Sequence, residues 1–238
     1  MLNLSYKRGE LPLFFFTQRM KHISFLLLLF LFPSCFKQTI TVKNDLSGIY
    51  NSSMQIDQSA VDFFQSLKNT NTSVDTDLFF LYSEDTLKNK LKKIKKIRVR
   101  NITVNENKNT KTYTIDLLFS DFTEMPDILL NKYIKTTIIK DKNNIIIKTA
   151  INTGILGNDF NIIKIYEQLN SDMKAIIDAF SSIISFNLVY NGPSEIIKST
   201  SLKKGIITNN NMTIEYTYSL YDILQSKNGI EIVTLYKK

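Results

Sequence analysis

Residues 23–32 read Ile-Ser-Phe-Leu-Leu-Leu-Leu-Phe-Leu-Phe, and they stop at Pro33-Ser34-Cys35. Arg19 and Lys21 precede them. A basic stretch, a short apolar run and small residues form the layout of a secretory leader. The run is about half the roughly 20 residues that a membrane-crossing helix needs. The leader is therefore expected to end at residue 34, with a start at Met1 or at Met20. A cut before Cys35 leaves residues 35–238, 204 in all, which is one domain's worth of chain.

That division removes several chemistries. The single histidine, His22, belongs to the leader. The remaining chain has no imidazole base for a Ser-His-Asp or Cys-His arrangement. Its one thiol, Cys35, can form neither an internal disulfide nor a thiolate zinc site. No catalytic residue, cofactor or metal ligand is expected, and the chain is read as a non-enzyme. Asp75, Asp77, Glu84 and Asp85 are sequence neighbours on a loop or a first helical turn. Acid–base work needs carboxylates that face each other across a cleft. Asp75-Thr76-Asp77 begins like a calcium loop but lacks its glycine and distal glutamate.

Cys35 is the candidate lipidation site. Leu31-Phe32-Pro33-Ser34-Cys35 resembles the lipobox of bacterial lipoproteins, with Ser34 as the small residue before the cut. Phe32 and Pro33 depart from the strict pattern, in the manner of the relaxed lipoboxes of spirochaetes such as Borrelia. The abundance of lysine, asparagine and isoleucine, with Arg98 and Arg100 the only arginines after the leader, is similar in style. The resemblance implies acyl chains on Cys35, palmitate among them, and a place in the cell envelope. The outer membrane or cell surface is expected rather than the inner membrane. Each buried methylene is worth about 0.8 kcal/mol, so several chains on one residue hold a protein durably. Residues 35–39 are expected to form a short tether. At about 3.3–3.6 Å per extended residue it reaches on the order of 15 Å, which would seat the body against the headgroups.

Residues 40–238 read as one α+β body. Segments rich in β-branched residues alternate with Asn, Asp, Gly and Lys turns, as expected for antiparallel hairpins. Strands are expected at 37–45 and 49–58, 99–106 and 111–119, 133–140 and 145–153, then at 185–190, 195–201, 212–218 and 230–236. Single helices interleave with them. Apolar residues at helical spacing predict helices over 59–67, 83–97 and 170–184, and Pro126 suits the first turn of another over 121–131. Ser83 can cap the 83–97 helix. Glu84 and Asp85 at its start and lysines at its end suit the helix dipole. Hairpins interleaved with single helices make an α+β class with mainly antiparallel pairing.

A strand, a Ser-Gly turn, a strand and a helix near the start, with Phe186–Pro193 and Met212–Tyr216 near the end, are similar to the LppM-type lipoprotein domain. Here the turn is Gly192-Pro193, the reverse of that family's order. The likeness implies a cell-envelope or lipid-related role. It transfers no site residue.

The sharpest charge feature is Lys88, Lys90, Lys92, Lys93, Lys95 and Lys96, followed by Arg98 and Arg100. Lys88, Lys92, Lys93, Lys95, Lys96, Arg98 and Arg100 form the candidate patch for an anionic lipid or polysaccharide. A solvated helix face is the plain alternative. Nucleic acid is not an expected partner, because no recognised module is present. Tyr216, Tyr218 and Tyr221 could line a binding surface or pack across strands. Three roles stay open. They are a lipid-anchored binding or scaffolding protein, an adhesin that uses the basic patch, and a carrier of an apolar ligand between sheet and helices. No protein partner is indicated.

Overall fold

A computed structural model describes residues 35–58, 61–62, 82–122, 134–141, 143–151, 166–167, 169–226 and 229–237. Its strands are β1 (Cys35–Val42), β2 (Gly48–Asp57), β3 (Ile97–Glu106), β4 (Thr110–Phe119), β5 (Ile134–Asp141), β6 (Asn144–Ile151), β7 (Ser185–Asn191), β8 (Ile196–Thr200), β9 (Ile206–Thr208), β10 (Thr213–Ser219) and β11 (Ile230–Lys237). Its helices are α1 (Glu84–Lys92), α2 (Ser171–Ser181) and α3 (Leu220–Gln225). The larger sheet has the order β3-β4-β2-β1-β7-β10-β9, and the smaller one β5-β6-β11-β8. The α+β class holds. Pairing is antiparallel except between β1 and β7, which run parallel.

The expected hairpins form because their turns are chemically specified. In the β1–β2 turn, Asp45 Oδ1 accepts from the Ser47 amide at 3.0 Å and the Ser47 hydroxyl at 2.7 Å. These bonds hold the Asp45 carboxyl below its ordinary pKa. In the β3–β4 turn, Asn107 Oδ1 accepts from the amides of Asn109 and Thr110. Asn209, Asn210 and Asn211 all take positive φ before β10, the region that asparagine tolerates better than most residues.

Several boundaries move. The expected tether, residues 35–39, is strand. Cys35 pairs with Gln55 on one side and Ser185 on the other, and Phe36 is buried. A stretch that supplies rungs to two neighbours has no slack. The 83–97 helix ends at Lys92, because Lys93–Lys96 form a turn in which Lys96 is left-handed and Ile97 already belongs to β3. The 170–184 helix ends at Ser181. Strand β9 and helix α3 are additions. The expected helices over 59–67 and 121–131 lie outside the described residues apart from two residues each.

Strand alternation puts one face of the larger sheet inside. One row across it reads Val104, Tyr113, Met54, Phe36, Phe186 and Tyr218. All but partly buried Val104 are buried. Helix α1 packs on β3 through Leu87 and Leu91, both fully buried, with Ile94 alongside. The smaller sheet meets the larger through tyrosines. Tyr190 donates to Thr149 Oγ1 at 2.7 Å, and Thr149 pairs with Thr136 at 2.9 Å. Tyr216 lies 3.2 Å from Thr234 Oγ1, and Tyr236 donates to the Tyr190 carbonyl at 2.9 Å. The alternating tyrosines 216 and 218 are thus packing residues, and exposed Tyr221 is not part of that layer.

Each buried hydroxyl bond contributes about 0.5–1.5 kcal/mol net, whereas one left unmade costs about 1–3 kcal/mol. The network therefore specifies how the sheets meet. Gly192 permits this contact. A Cβ there would lie 2.0 Å from the Tyr236 ring.

Burial disfavours the phenolate of Tyr50, Tyr190 and Tyr236. It pushes Tyr50 up to about 12, and Tyr190 and Tyr236 are raised as well. An unfolded tyrosine titrates near 10. Above that pH the unfolded chain loses protons that the folded chain keeps, so stability falls as pH rises. The stability supplied by Tyr50 is fully present below pH 10 and is lost as pH climbs through about 12. Alkaline titration should show phenolate absorbance from the buried tyrosines appearing together with loss of circular dichroism. Buried phenols that ionise near pH 10 with the fold intact would contradict this packing.

Candidate functional site

Two features carry chemistry, and β1 relates them. Cys35 begins this strand and is exposed, a free thiol that accepts from the Ser185 hydroxyl at 3.8 Å. Its neighbour Phe36 turns inward onto Phe186, with ring centroids 6.2 Å apart. The thiol therefore stands on the outer side of the sheet, at the end of a central strand.

The basic cluster gathers at the other end of β1. Glu84 Oε2 accepts from the Val104 amide at 3.3 Å, so α1 starts beside the far part of β3 and runs back toward Ile97. Ile97 pairs with Phe119, Phe119 with Gly48, and Gly48 with Val42. Lys96 and Arg98 thus line one cleft with Lys43, and Lys92, Lys93 and Lys95 lie at the same end of the sheet. Lys140 reaches the same end, donating to the Asn44 carbonyl at 3.0 Å. A bulge at Arg100 explains why two arginines face water. The extra residue resets the alternation, leaving Arg98 and Arg100 exposed while Ile102 turns inside.

The candidate cations are not equivalent. Lys88 is paired with Glu84, which this contact and the Val104 amide hold below its ordinary pKa. Lys90 sits 4.0 Å from the centre of the Tyr82 ring. Lys96 pairs with Asp121 at 3.1 Å, and Arg100 with Asp116 at 3.5 Å. Lys92, Lys93, Lys95 and Arg98 are exposed, and no carboxylate among the described residues pairs with them. These four are the available charges. Exposed pairs such as Lys88–Glu84 are screened by solvent and contribute little to stability.

An open cleft of about 390 Å³ lies at this end. Lys43, Lys96 and Arg98 line it, over Ile49 and Leu118, with Ser47 and Ser120 nearby. Its chemistry suits an anion. Lys43 and Ser47 escape sequence reasoning because the pairing of β2 with β4 brings them to Arg98 across more than fifty residues of chain, and Ser120 because β3 pairs with β4. One lysine is buried instead. Lys111 is 6% exposed, 3.4 Å from Glu106 and over the Tyr113 ring.

The remaining candidates separate. Glu84 is an ion-pair partner and Asp85 a first-turn residue of α1. Asp75 and Asp77 lie outside the described residues. Among the described residues there is no group of three or more His, Cys, Asp or Glu arranged to hold a metal, and no helix long and apolar enough to cross a membrane.

Comparison with known proteins adds little. No family model and no curated protein matches the chain. Among solved structures it is similar to the folded domain of Mycobacterium tuberculosis LppM, determined by NMR. The identity is 8%, the TM-score 0.39, and the match covers 85% of this chain and 88% of that one. The likeness assigns no residue and no role, and the spirochaete resemblance gains no support from it.

Proposed function

We propose that the protein is a cell-envelope lipoprotein, held to a membrane by acyl chains on Cys35, with a non-enzymatic binding or scaffolding role. The observation that carries this is the position of Cys35. It is the exposed first residue of β1, directly after the apolar run 23–32. A modifying enzyme can reach such a thiol without disturbing the core. The outer membrane or cell surface is the proposed location. Cys35→Ser should abolish palmitate incorporation and release the protein from the membrane fraction of the native cell. Unchanged labelling of that variant would contradict the anchor.

A second reading, an adhesin for sulfated or phosphorylated polymers, is favoured by where the basic end lies. Along β1 the cleft stands roughly 23 Å from Cys35, at about 3.3 Å per residue. An anchor at Cys35 would leave Lys92, Lys93, Lys95 and Arg98 pointing away from its membrane. Reversing these four to Glu should sharply lower the salt needed to elute the protein from heparin. Retention that survives the reversal would eliminate the patch. The carrier reading has less support, because rings of Tyr190, Tyr216 and Tyr236 fill the layer between the sheets.

A further inference from the structure

Exposed large apolar side chains occur in two settings. Ile139, Ile197, Ile206 and Ile207 lie on β5, β8 and β9, each at the edge of a sheet. Ile183, Leu202 and Tyr221 instead collect at the end of the body where β1 begins. Ile183 is two residues before Ser185, whose hydroxyl touches the Cys35 sulfur. Ile184 accepts from the Leu220 amide at 2.9 Å, which places Tyr221 beside this turn. Leu202 is held nearby by its neighbours: Ser201 bonds the Tyr218 hydroxyl, and Lys203 pairs with Asp222 at the start of α3.

Ile183 is 71% exposed and Leu202 64%. Isoleucine and leucine are among the residue types most often buried. Scattered exposed apolar residues need no explanation, but a group around one point does. At this rim Lys203 and Asp222 pair with each other, and exposed Lys37 and Lys204 add positive charge.

We propose that Ile183, Leu202 and Tyr221 form a docking face for a lipid bilayer, seated around Cys35. The proposal rests on the reading that the chain is anchored there. Two observations choose a bilayer as the occupant. The apolar run 23–32 leads directly into this end, so either that run or lipid on Cys35 brings hydrocarbon to it. Because β1 starts at Cys35 itself, no tether separates that hydrocarbon from the rim. The rim therefore meets the boundary between headgroups and acyl chains, where apolar faces of surface-bound elements sit roughly 5–10 Å deep.

The chain has no tryptophan, so one introduced tryptophan reports one position. Ile183→Trp, Leu202→Trp and Lys95→Trp variants of the full lipidated protein would be reconstituted into phosphatidylcholine–phosphatidylglycerol vesicles carrying lipids brominated near the top of the acyl chains. All three sites are exposed, and matching melting temperatures would show that each variant folds. Emission at positions 183 and 202 should be quenched, and emission at 95 should not. Vesicle-bound protein with unquenched tryptophan at 183 and 202, or with quenching at 95, would overturn the docking face. Protein that fails to float with the vesicles would overturn the anchoring reading, and the docking face with it.

Discussion

Strand β1 is the constraint on which the rest depends. It lies at the centre of the larger sheet, with β2 antiparallel on one side and β7 parallel on the other. Its inward residues Phe36, Ile40 and Val42 are buried apolar groups. Sliding the strand by one residue would turn each of them to water and expose the apolar set as a whole. The register is therefore strongly held, and it fixes Cys35 at one end of the body and Lys43 at the other. The parallel partner matters as much as the hairpin partner. It brings Ser185, and hence Ile183, to the cysteine.

This polarity would separate membrane attachment from anion binding, two jobs that a basic surface is often asked to share. At physiological salt the screening length is about 8 Å. The roughly 23 Å from Cys35 to the basic cleft, taken at strand rise, exceeds two such lengths. A membrane contacted at the Cys35 end would thus exert little pull on Lys92, Lys93 or Arg98. The proposed anchoring by lipid would need no help from these charges, since hydrocarbon burial would supply it. The basic end is left available to something else, and its cleft of cations over an Ile49–Leu118 floor suits an acidic group.

Much of the fold is legible from local patterns. Alternation and turn chemistry locate the hairpins. The Leu87, Leu91 and Ile94 stripe locates the core face of α1, and Ser83 supplies its cap as read. What stays hidden is whatever depends on distant partners. The parallel β1–β7 pair joins residues about 150 apart, and nothing local in Cys35–Val42 announces it. The turn at Lys93–Lys96 interrupts a lysine run that looks continuous as helix, because β3 must begin at Ile97 to pair with Phe119. Of the basic patch, the sequence reveals the charges but not their partners. Asp121 and Asp116 occupy Lys96 and Arg100, and only the folded register shows that Lys43 joins Arg98 at the cleft.

Cys35 and the basic cluster stand at opposite ends of one sheet. A distance between them tests this most directly. Cys35 is the only cysteine, so a Lys95→Cys variant of the unacylated chain carries two spin labels and no others. Pulsed dipolar spectroscopy should return a single distance on the order of 25 Å or more, set by seven strand steps of about 3.3 Å plus the label arms. A short distance, on the order of 15 Å or less, would contradict the account, because the two ends would then share one face of the molecule.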